Sequence, residues 1–156
     1  MKTRVIAVGR LQSMYEPAQN EFLKRLGRYG GTLLTETPDE PVPQTLSEAQ
    51  KQAAINREWE KQKKLIGAHD VVILLDASGE KLTSEKLAER LDGWQQRGTV
   101  VFCLGGSLGF PAAALKEAYA VISLSDMTFT HSLARVILLE QLYRAFKILN
   151  HEPYHK

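Results

Sequence analysis

The sequence has a single cysteine, Cys103, among 156 residues. One thiol cannot form a disulfide within the chain, and it excludes the cysteine clusters that hold structural zinc. The apolar neighbours of Cys103 predict a small buried hydrophobic residue rather than a nucleophile. None of the four histidines belongs to an H-E-x-x-H motif. We therefore expect no metal site.

Long apolar runs and a strong charge imbalance are also missing. No apolar stretch approaches the roughly 20 residues that span a bilayer. The run that follows Lys2 and Arg4 is too short for a signal peptide, so we expect a cytoplasmic protein. The net charge of +2 permits an RNA partner without arguing for one. With no repeat and no biased segment, 156 residues predict a single domain.

Short apolar runs alternate with amphipathic segments along the chain. We predict strands at residues 4–8, 32–36, 71–75, 99–104 and 120–124. We predict helices at residues 14–28, 47–66, 84–97 and 132–149, and a short one starting at Pro111. Prolines mark residues 38–46 as a loop. This alternation predicts an α/β fold with a mostly parallel sheet and helices on both faces.

The second predicted helix has a clear start signal. Ser47 and Gln50 have the spacing of a capping box. Its inner face is predicted to be a narrow stripe of Ile55, Trp59, Gln62 and Ile66. Lysines at 61, 63 and 64 suit the negative end of the helix dipole, which we prefer to a dedicated RNA patch.

Three loops follow strands of the predicted sheet, at the edge where such sheets usually bind ligands. They are residues 76–79, 105–110 and 125–131. The order Gly105-Gly106-x-x-Gly109 is neither the dinucleotide fingerprint nor a P-loop, and alone it fits a tight turn as well as a ligand loop. The three loops together favour a nucleoside-type ligand.

The last predicted helix is apolar on nearly every side, interrupted by Arg135. A helix of that kind must be buried all round, which is difficult in so small a chain without a second subunit. We therefore predict a homodimer that uses this helix. A central core helix in a monomer is the alternative.

Several segments resemble one family of knotted, SPOUT-class RNA methyltransferases. They are residues 104–109, 123–131, 135–136 and 140–145, and the end of the chain, His-Glu-Pro-Tyr-His-Lys at 151–156. The family, RlmH, methylates N3 of a pseudouridine in the helix 69 loop of 23S ribosomal RNA, and the resemblance covers essentially the whole chain. Thr130 departs from it, because proline is expected before His131, and the loop is expected to be less rigid for that reason.

The resemblance implies a C-terminal trefoil knot, although general connection rules argue against knots. It implies S-adenosylmethionine bound by the knot loops, largely through backbone groups. The corresponding positions are Leu75, Gly105, Leu124, Ser125, Asp126, Met127, Thr128 and Phe129. It also implies a homodimer whose active site is completed across the subunit interface, on ribosomal RNA within the ribosome.

Methylation of an imide nitrogen requires its proton to leave, so a base or an anion-stabilising cation is expected. The candidates are His131, Arg144, Tyr154 and His155. A histidine could take the proton, Arg144 could stabilise the imidate or hold a phosphate, and Tyr154 could stack on a base. Simpler roles stay open: His131 as a helix cap and residues 154–156 as a frayed terminus.

Other functions also stay open at this point. The chain could be a knotted methyltransferase acting on transfer RNA, or a non-catalytic ribosome-assembly factor that keeps a vestigial pocket. Cofactor titration separates the assembly factor from both enzymes. A flavodoxin-like nucleotide binder fits the strand pattern, but the last helix and the tail disfavour it.

Overall fold

The computed structural model describes residues 3–41 and 45–156. Its strands are β1 (Thr3–Val8), β2 (Thr32–Thr37), β3 (Val71–Lys81), β4 (Val100–Leu104) and β5 (Ala120–Ser123). Its helices are α1 (Glu16–Leu26), α2 (Glu48–Lys63), α3 (Ser84–Gln95), α4 (Ala112–Glu117) and α5 (His131–Leu149). The predicted helix at 14–28 is α1 with a 3₁₀ turn at each end. Residues 38–41 and 45–46 of the predicted loop carry no helix or strand, and residues 42–44 lie outside the described residues.

The strands form one sheet in the order β2-β1-β4-β3-β5, and every pairing is parallel. The central strands are continuous apolar runs, as expected where helices cover both faces of a sheet. Phe102 and Cys103, which are neighbours on β4, are both fully buried although their side chains point to opposite faces. The predicted α/β architecture is confirmed.

Two hydrophobic clusters lie on the two faces of the sheet. On one face Val5 and Phe102 pack with side chains of α1, α3 and α5. On the other, Ile6 and Cys103 pack with Trp59 of α2 and with α4. Burial raises the pKa of the Cys103 thiol to about 12, which confirms its prediction as a core residue rather than a nucleophile.

The start of α2 confirms the capping box, and its inner face corrects the predicted stripe. Ser47 Oγ accepts a hydrogen bond from the Gln50 amide (3.2 Å), and Gln50 Oε1 accepts one from the Ser47 amide (2.9 Å). Trp59 and Gln62 are buried as predicted, but Ile55 is only half-buried and Glu58 is buried instead. The prediction missed Glu58 because its Oε2 atom accepts a hydrogen bond from the backbone of residue 40, which lies outside α2 and 18 positions before Glu58. The helix ends at residue 63, short of the predicted 66.

The segment after Leu75 is not the loop that the sequence predicts. Residues 76–81 continue β3 in extended conformation, and the pairing with β5 shifts register between Leu75 and Glu80. At Gly79 the two strands approach so closely that a Cβ atom would lie 2.5 Å from the Ile122 carbonyl carbon, so only glycine fits there. The trefoil knot itself stays a prediction of the family resemblance.

α5 is buried along one face rather than all round. Leu138, Leu139 and Leu142 are fully buried against the sheet and α3, whereas Leu133, Val136 and Ile137 are only half-buried. The second face has no covering element among the described residues, so burial of this helix on every side would need the second subunit. The homodimer stays a prediction. No helix in the described ranges has the length and hydrophobicity to cross a membrane.

Candidate active site

The carboxyl ends of β4 and β5, together with the middle of β3, place the predicted cofactor residues at one edge of the sheet. Leu75 of β3 pairs with Leu104 of β4 on one side and with Ile122 of β5 on the other. Gly105 therefore starts its loop beside Leu75. The residues that follow β5 start at the same edge; they are Leu124, Ser125, Asp126, Met127, Thr128 and Phe129.

Short hydrogen bonds give these loops their shape. The Gly109 amide donates to the Gly106 carbonyl (3.1 Å), which closes a tight turn directly after β4. In the next loop, Ser123 Oγ donates to the Ser125 carbonyl and Ser125 Oγ accepts from the Met127 amide, both at 3.0 Å. The side chain of Met127 points into solvent, with 76% of its surface exposed.

The C-terminal tail folds back onto α5 and α3 instead of fraying. Arg144 Nη1 contacts His155 Nδ1 (3.1 Å), and Arg144 Nη2 contacts Glu140 Oε2 (3.1 Å). The Tyr154 hydroxyl donates to the same Glu140 oxygen (3.1 Å), and the Arg144 guanidinium lies 4.8 Å above the Tyr154 ring. On its far side, His155 Nε2 contacts Glu85 at the start of α3. These five residues form one cluster, called here the tail cluster.

Hydrogen-bond partners fix the protonation pattern of the tail cluster. Arg144 has only donors, so His155 Nδ1 must accept, and Nε2 then carries the hydrogen that is donated to Glu85. The hydrogen bond from His155 holds the pKa of Glu85 below its ordinary value. Burial, with the hydrogen bond to Glu140 second, raises the pKa of Tyr154. His155 thus has no free lone pair in this arrangement.

His131 lies away from the other three candidate residues. It is the first residue of α5, thirteen positions before Arg144, which corresponds to roughly 20 Å along a helix axis. Its ring lies beside the end of β1, where His131 Cε1 would be 3.7 Å from a Cβ on Gly9. The helix cap is Thr130, whose Oγ1 accepts from the Leu133 amide (3.4 Å), so the interpretation of His131 as the cap is wrong.

A cleft between α3 and α5 connects the tail cluster to the loop after β5. The cavity has a volume of about 240 Å³ and is lined by Leu82, Thr83, Ser84, Leu87, Ile122, Ser123, Leu124, Ile137 and Gln141. Ser84 Oγ donates to Gln141 Oε1 (2.6 Å), and Gln141 Nε2 donates to Glu140 Oε1 (2.8 Å). A continuous hydrogen-bonded chain therefore runs from the wall of the cleft into the tail cluster.

Comparison with known proteins assigns the chain to a family. The family model described as "Predicted SPOUT methyltransferase" matches residues 1–155. The chain belongs to the SPOUT methyltransferase family. Proteins named "Ribosomal RNA large subunit methyltransferase H" are similar over the full length of both chains: 43% identical in Acetivibrio thermocellus, 42% in Halothermothrix orenii and 40% in Bifidobacterium animalis.

Sequence reasoning missed three carboxylates of this SPOUT methyltransferase. Glu140 and Glu85 hold the tail cluster, and Glu58 lies behind residues 105–109, called here the glycine loop. A signal existed for Glu140, because it precedes Arg144 by four residues and so shares its helix face. Nothing local in the sequence marks Glu85, whose partner lies 70 residues away. Over residues 3–41 and 45–156, no group of three or more potential metal ligands is present.

Proposed function

We propose that this chain transfers the methyl group of S-adenosylmethionine to N3 of a pseudouridine in the helix 69 loop of 23S ribosomal RNA. The observation that carries the proposal is the meeting of Arg144, Tyr154 and His155 beside a cleft whose floor is formed by Ile122 to Leu124. The names of the full-length relatives support ribosomal RNA as the acceptor. A ribosomal acceptor would make the cytoplasm the working compartment.

The loops at the sheet edge fit a methyl donor of this kind. The buried carboxyl of Glu58 lies directly against Gly106, and it offers a negative group near a cationic ligand. Leu75, Gly105 and residues 124–129 would hold the donor. When bound, S-adenosylmethionine supplies a methyl group on a sulfonium, which needs only an aligned nucleophile and no metal. Alignment alone provides much of the rate in well-oriented systems.

The tail cluster would prepare the acceptor. Arg144 is a permanent cation and would stabilise the negative charge that develops when N3 loses its proton. The Tyr154 ring, already stacked under Arg144, would pack against the base. His155 would accept the proton only after Arg144 turns from Nδ1 to the acceptor, because both ring nitrogens are otherwise engaged.

A homodimer would bring the fourth candidate into the same site. The half-exposed apolar residues of α5, Leu133, Val136 and Ile137, are suited to pack against a second copy of the helix. If the two α5 helices pack antiparallel, His131 of the partner subunit comes near the tail cluster of the first subunit. Because His131 and Arg144 are too far apart to act together within one chain, a site that uses both would require two chains.

The decisive experiment supplies methyl-labelled S-adenosylmethionine and ribosomes from a strain that lacks the modification, with the label mapped by mass spectrometry. Label on one pseudouridine of the large subunit is the expected result. Label on transfer RNA in a parallel reaction would show that transfer RNA, and not ribosomal RNA, is the acceptor. The absence of both label and cofactor binding would favour the assembly factor. Deletion of residues 154–156 should abolish transfer and spare cofactor binding, and full activity of the truncated enzyme would refute the role of the tail.

A further inference from the structure

Two buried polar side chains of α2 face the start of the glycine loop. Gln62 and Glu58 are one helical turn apart, and they are 1% and 4% exposed. Gln62 Nε2 donates to the Leu104 carbonyl (3.0 Å), which fixes the end of β4. Glu58 lies one turn earlier, directly behind Gly106. α2 therefore supports the predicted cofactor loop from the side opposite α5.

Within the described residues, only one of the two oxygen atoms of the Glu58 carboxyl accepts a hydrogen bond. Its Oε2 atom accepts from the Glu40 amide (2.9 Å), whereas Oε1 is buried and has no hydrogen-bond partner in the described part of the chain. The charged groups that face Glu58 are Asp39, Glu40 and Lys61. Lys61 and Arg57 both bind the Glu40 carboxylate, and within residues 3–41 and 45–156 no cation is paired with Glu58. A buried carboxyl without a counter-charge is costly to a fold and needs an explanation.

Gly106 is the residue of the glycine loop that the Glu58 carboxyl contacts. A Cβ atom at residue 106 would lie 2.9 Å from Glu58 Oε1 and 3.2 Å from Oε2. The absence of a side chain lets the carboxyl lie directly against the loop backbone. The negative group is thus at the sheet edge where a cationic ligand is expected, in surroundings of low polarity where charge interactions are stronger than in water.

We propose that Glu58 is a positioning residue whose buried carboxylate is the counter-charge of the cationic methyl donor held by the glycine loop. This inference rests on the proposed function. It assigns Glu58 a role in discrimination, because S-adenosylmethionine carries a sulfonium and the product S-adenosylhomocysteine carries a neutral thioether. The carboxylate favours the donor over the product, and so lets a new donor molecule displace the product after each transfer.

The discrimination depends on pH. Burial raises the pKa of Glu58 above its ordinary value of 4.5, and the negative charges of Asp39 and Glu40 add to the rise. The hydrogen bond from the Glu40 amide and the charge of Lys61 lower the pKa, but the net direction is upward. The carboxyl is neutral below its raised pKa and charged above it. The preference for the donor over the product therefore grows as the pH rises through that pKa.

The test compares the affinities of S-adenosylmethionine and S-adenosylhomocysteine by calorimetry in the full-length protein, in Glu58→Gln and in Glu60→Gln. Glu60 is an exposed glutamate of the same helix and serves as the control. The donor preference should fall on the order of tenfold in Glu58→Gln and stay unchanged in Glu60→Gln. Equal changes in both affinities would show a merely structural role and overturn the proposal.

The unmodified protein gives a second measurement that needs no folded variant. Its donor preference should increase with pH, and a preference that is flat across the titration of Glu58 would overturn the proposal. Trp59 offers an optical readout, because its ring lies edge-on to Phe110 at 5.7 Å, directly after the glycine loop. If the unmodified protein binds neither ligand, the proposed cofactor is wrong and the role of Glu58 falls with it.

Discussion

At the scale of single residues, Arg144 shows that the tail cluster needs the planar shape of a guanidinium. One of its terminal nitrogens faces His155, the other faces Glu140, and its flat face covers the Tyr154 ring. A lysine has one point of charge and no flat face, so it can satisfy only one of these contacts at a time. A positive charge at residue 144 is therefore not sufficient to hold the tail cluster together.

Replacing Arg144 by lysine should therefore lower the single-turnover rate of methylation on the order of a hundredfold. Cofactor affinity should be unchanged, because Arg144 lies outside the predicted cofactor loops. The control is Arg97→Lys, since Arg97 also lies over a tyrosine ring, Tyr119, at 5.7 Å. A rate in Arg144→Lys close to that of the unmodified protein would contradict this role.

Arg135 is a buried charge whose partner makes stability depend on pH. Its side chain is 1% exposed, donates to the Gly9 carbonyl (3.0 Å) and pairs with Glu36. The hydrogen bond from Arg135 holds the pKa of Glu36 below its ordinary value of 4.5. Because the folded-state pKa is depressed, the ion pair stabilises the fold above pH 4.5 and is lost as the pH falls toward the folded value.

Urea unfolding should therefore show a smaller loss of stability below pH 4.5 in Glu36→Gln than in the unmodified protein. The variant should be less stable at neutral pH, since Arg135 then lacks a charged partner. Glu117→Gln, at an exposed position on α4, is the control and should follow the unmodified protein at every pH. Parallel pH profiles for all three proteins would rule out this linkage.

At the scale of elements, the start of α5 shows what Thr130 provides at the position where the family resemblance predicts proline. Thr130 has φ −60° and ψ 153°, and its hydroxyl caps the helix. Proline adopts that φ without strain but offers no capping oxygen. Threonine thus lacks the fixed φ of proline but adds a capping hydrogen bond. We expect this hydrogen bond to restrict the loop that the missing proline would otherwise leave less rigid.

Thr130→Ala should destabilise the protein by about 1 kcal/mol, because it loses the cap and gains nothing. Thr130→Pro should lose less, since its fixed φ restricts the unfolded chain. The two variants differ only at this residue, so each is the control for the other in thermal and urea unfolding. Greater damage from proline than from alanine would show that the residue 130 amide, or the conformation of Phe129, is needed.

Local patterns predict the elements well wherever the chain carries its own signal. Ser47 and Gln50 mark the start of α2 because both halves of the capping box lie within one turn. The extension of β3 through residues 76–81 is not predictable in this way, because its polar composition resembles a loop. Its extended conformation comes from pairing with β5, whose partner residues Ile122 and Ser123 lie some forty positions later in the sequence.

At the scale of the whole molecule, the face of α5 that carries Leu133, Val136 and Ile137 is apolar and only half-buried in the single chain. We expect the unmodified protein to have twice the mass of the 17.5 kDa chain by light scattering. Val136→Asp places a charge on that face and should reduce the mass to that of one chain. Ala113→Asp, on the exposed side of α4, should remain a dimer. A single-chain mass for all three proteins would refute the dimer.

The candidate site could be predicted only in part, because some of its residues are far apart in the sequence and meet only in the fold. The sequence indicates Arg144, Tyr154 and His155 because they lie near one another at the end of the chain. Glu85 and Glu58 join the site through folding contacts that span 70 and 48 residues, and a carboxylate on a polar helix carries no mark of such a contact. Whether His131 works beside the tail cluster depends on the assembly of two chains.

The close passage of β5 beside residue 79 has a consequence for mutational tolerance. A substituent there would lie within 2.7 Å of three backbone atoms of Ile122, none of which belongs to a flexible side chain. Its neighbours Ser78 and Glu80 are exposed and face no such limit. In a saturation library selected only for folding, residue 79 should therefore admit glycine alone, between two positions that accept almost any amino acid.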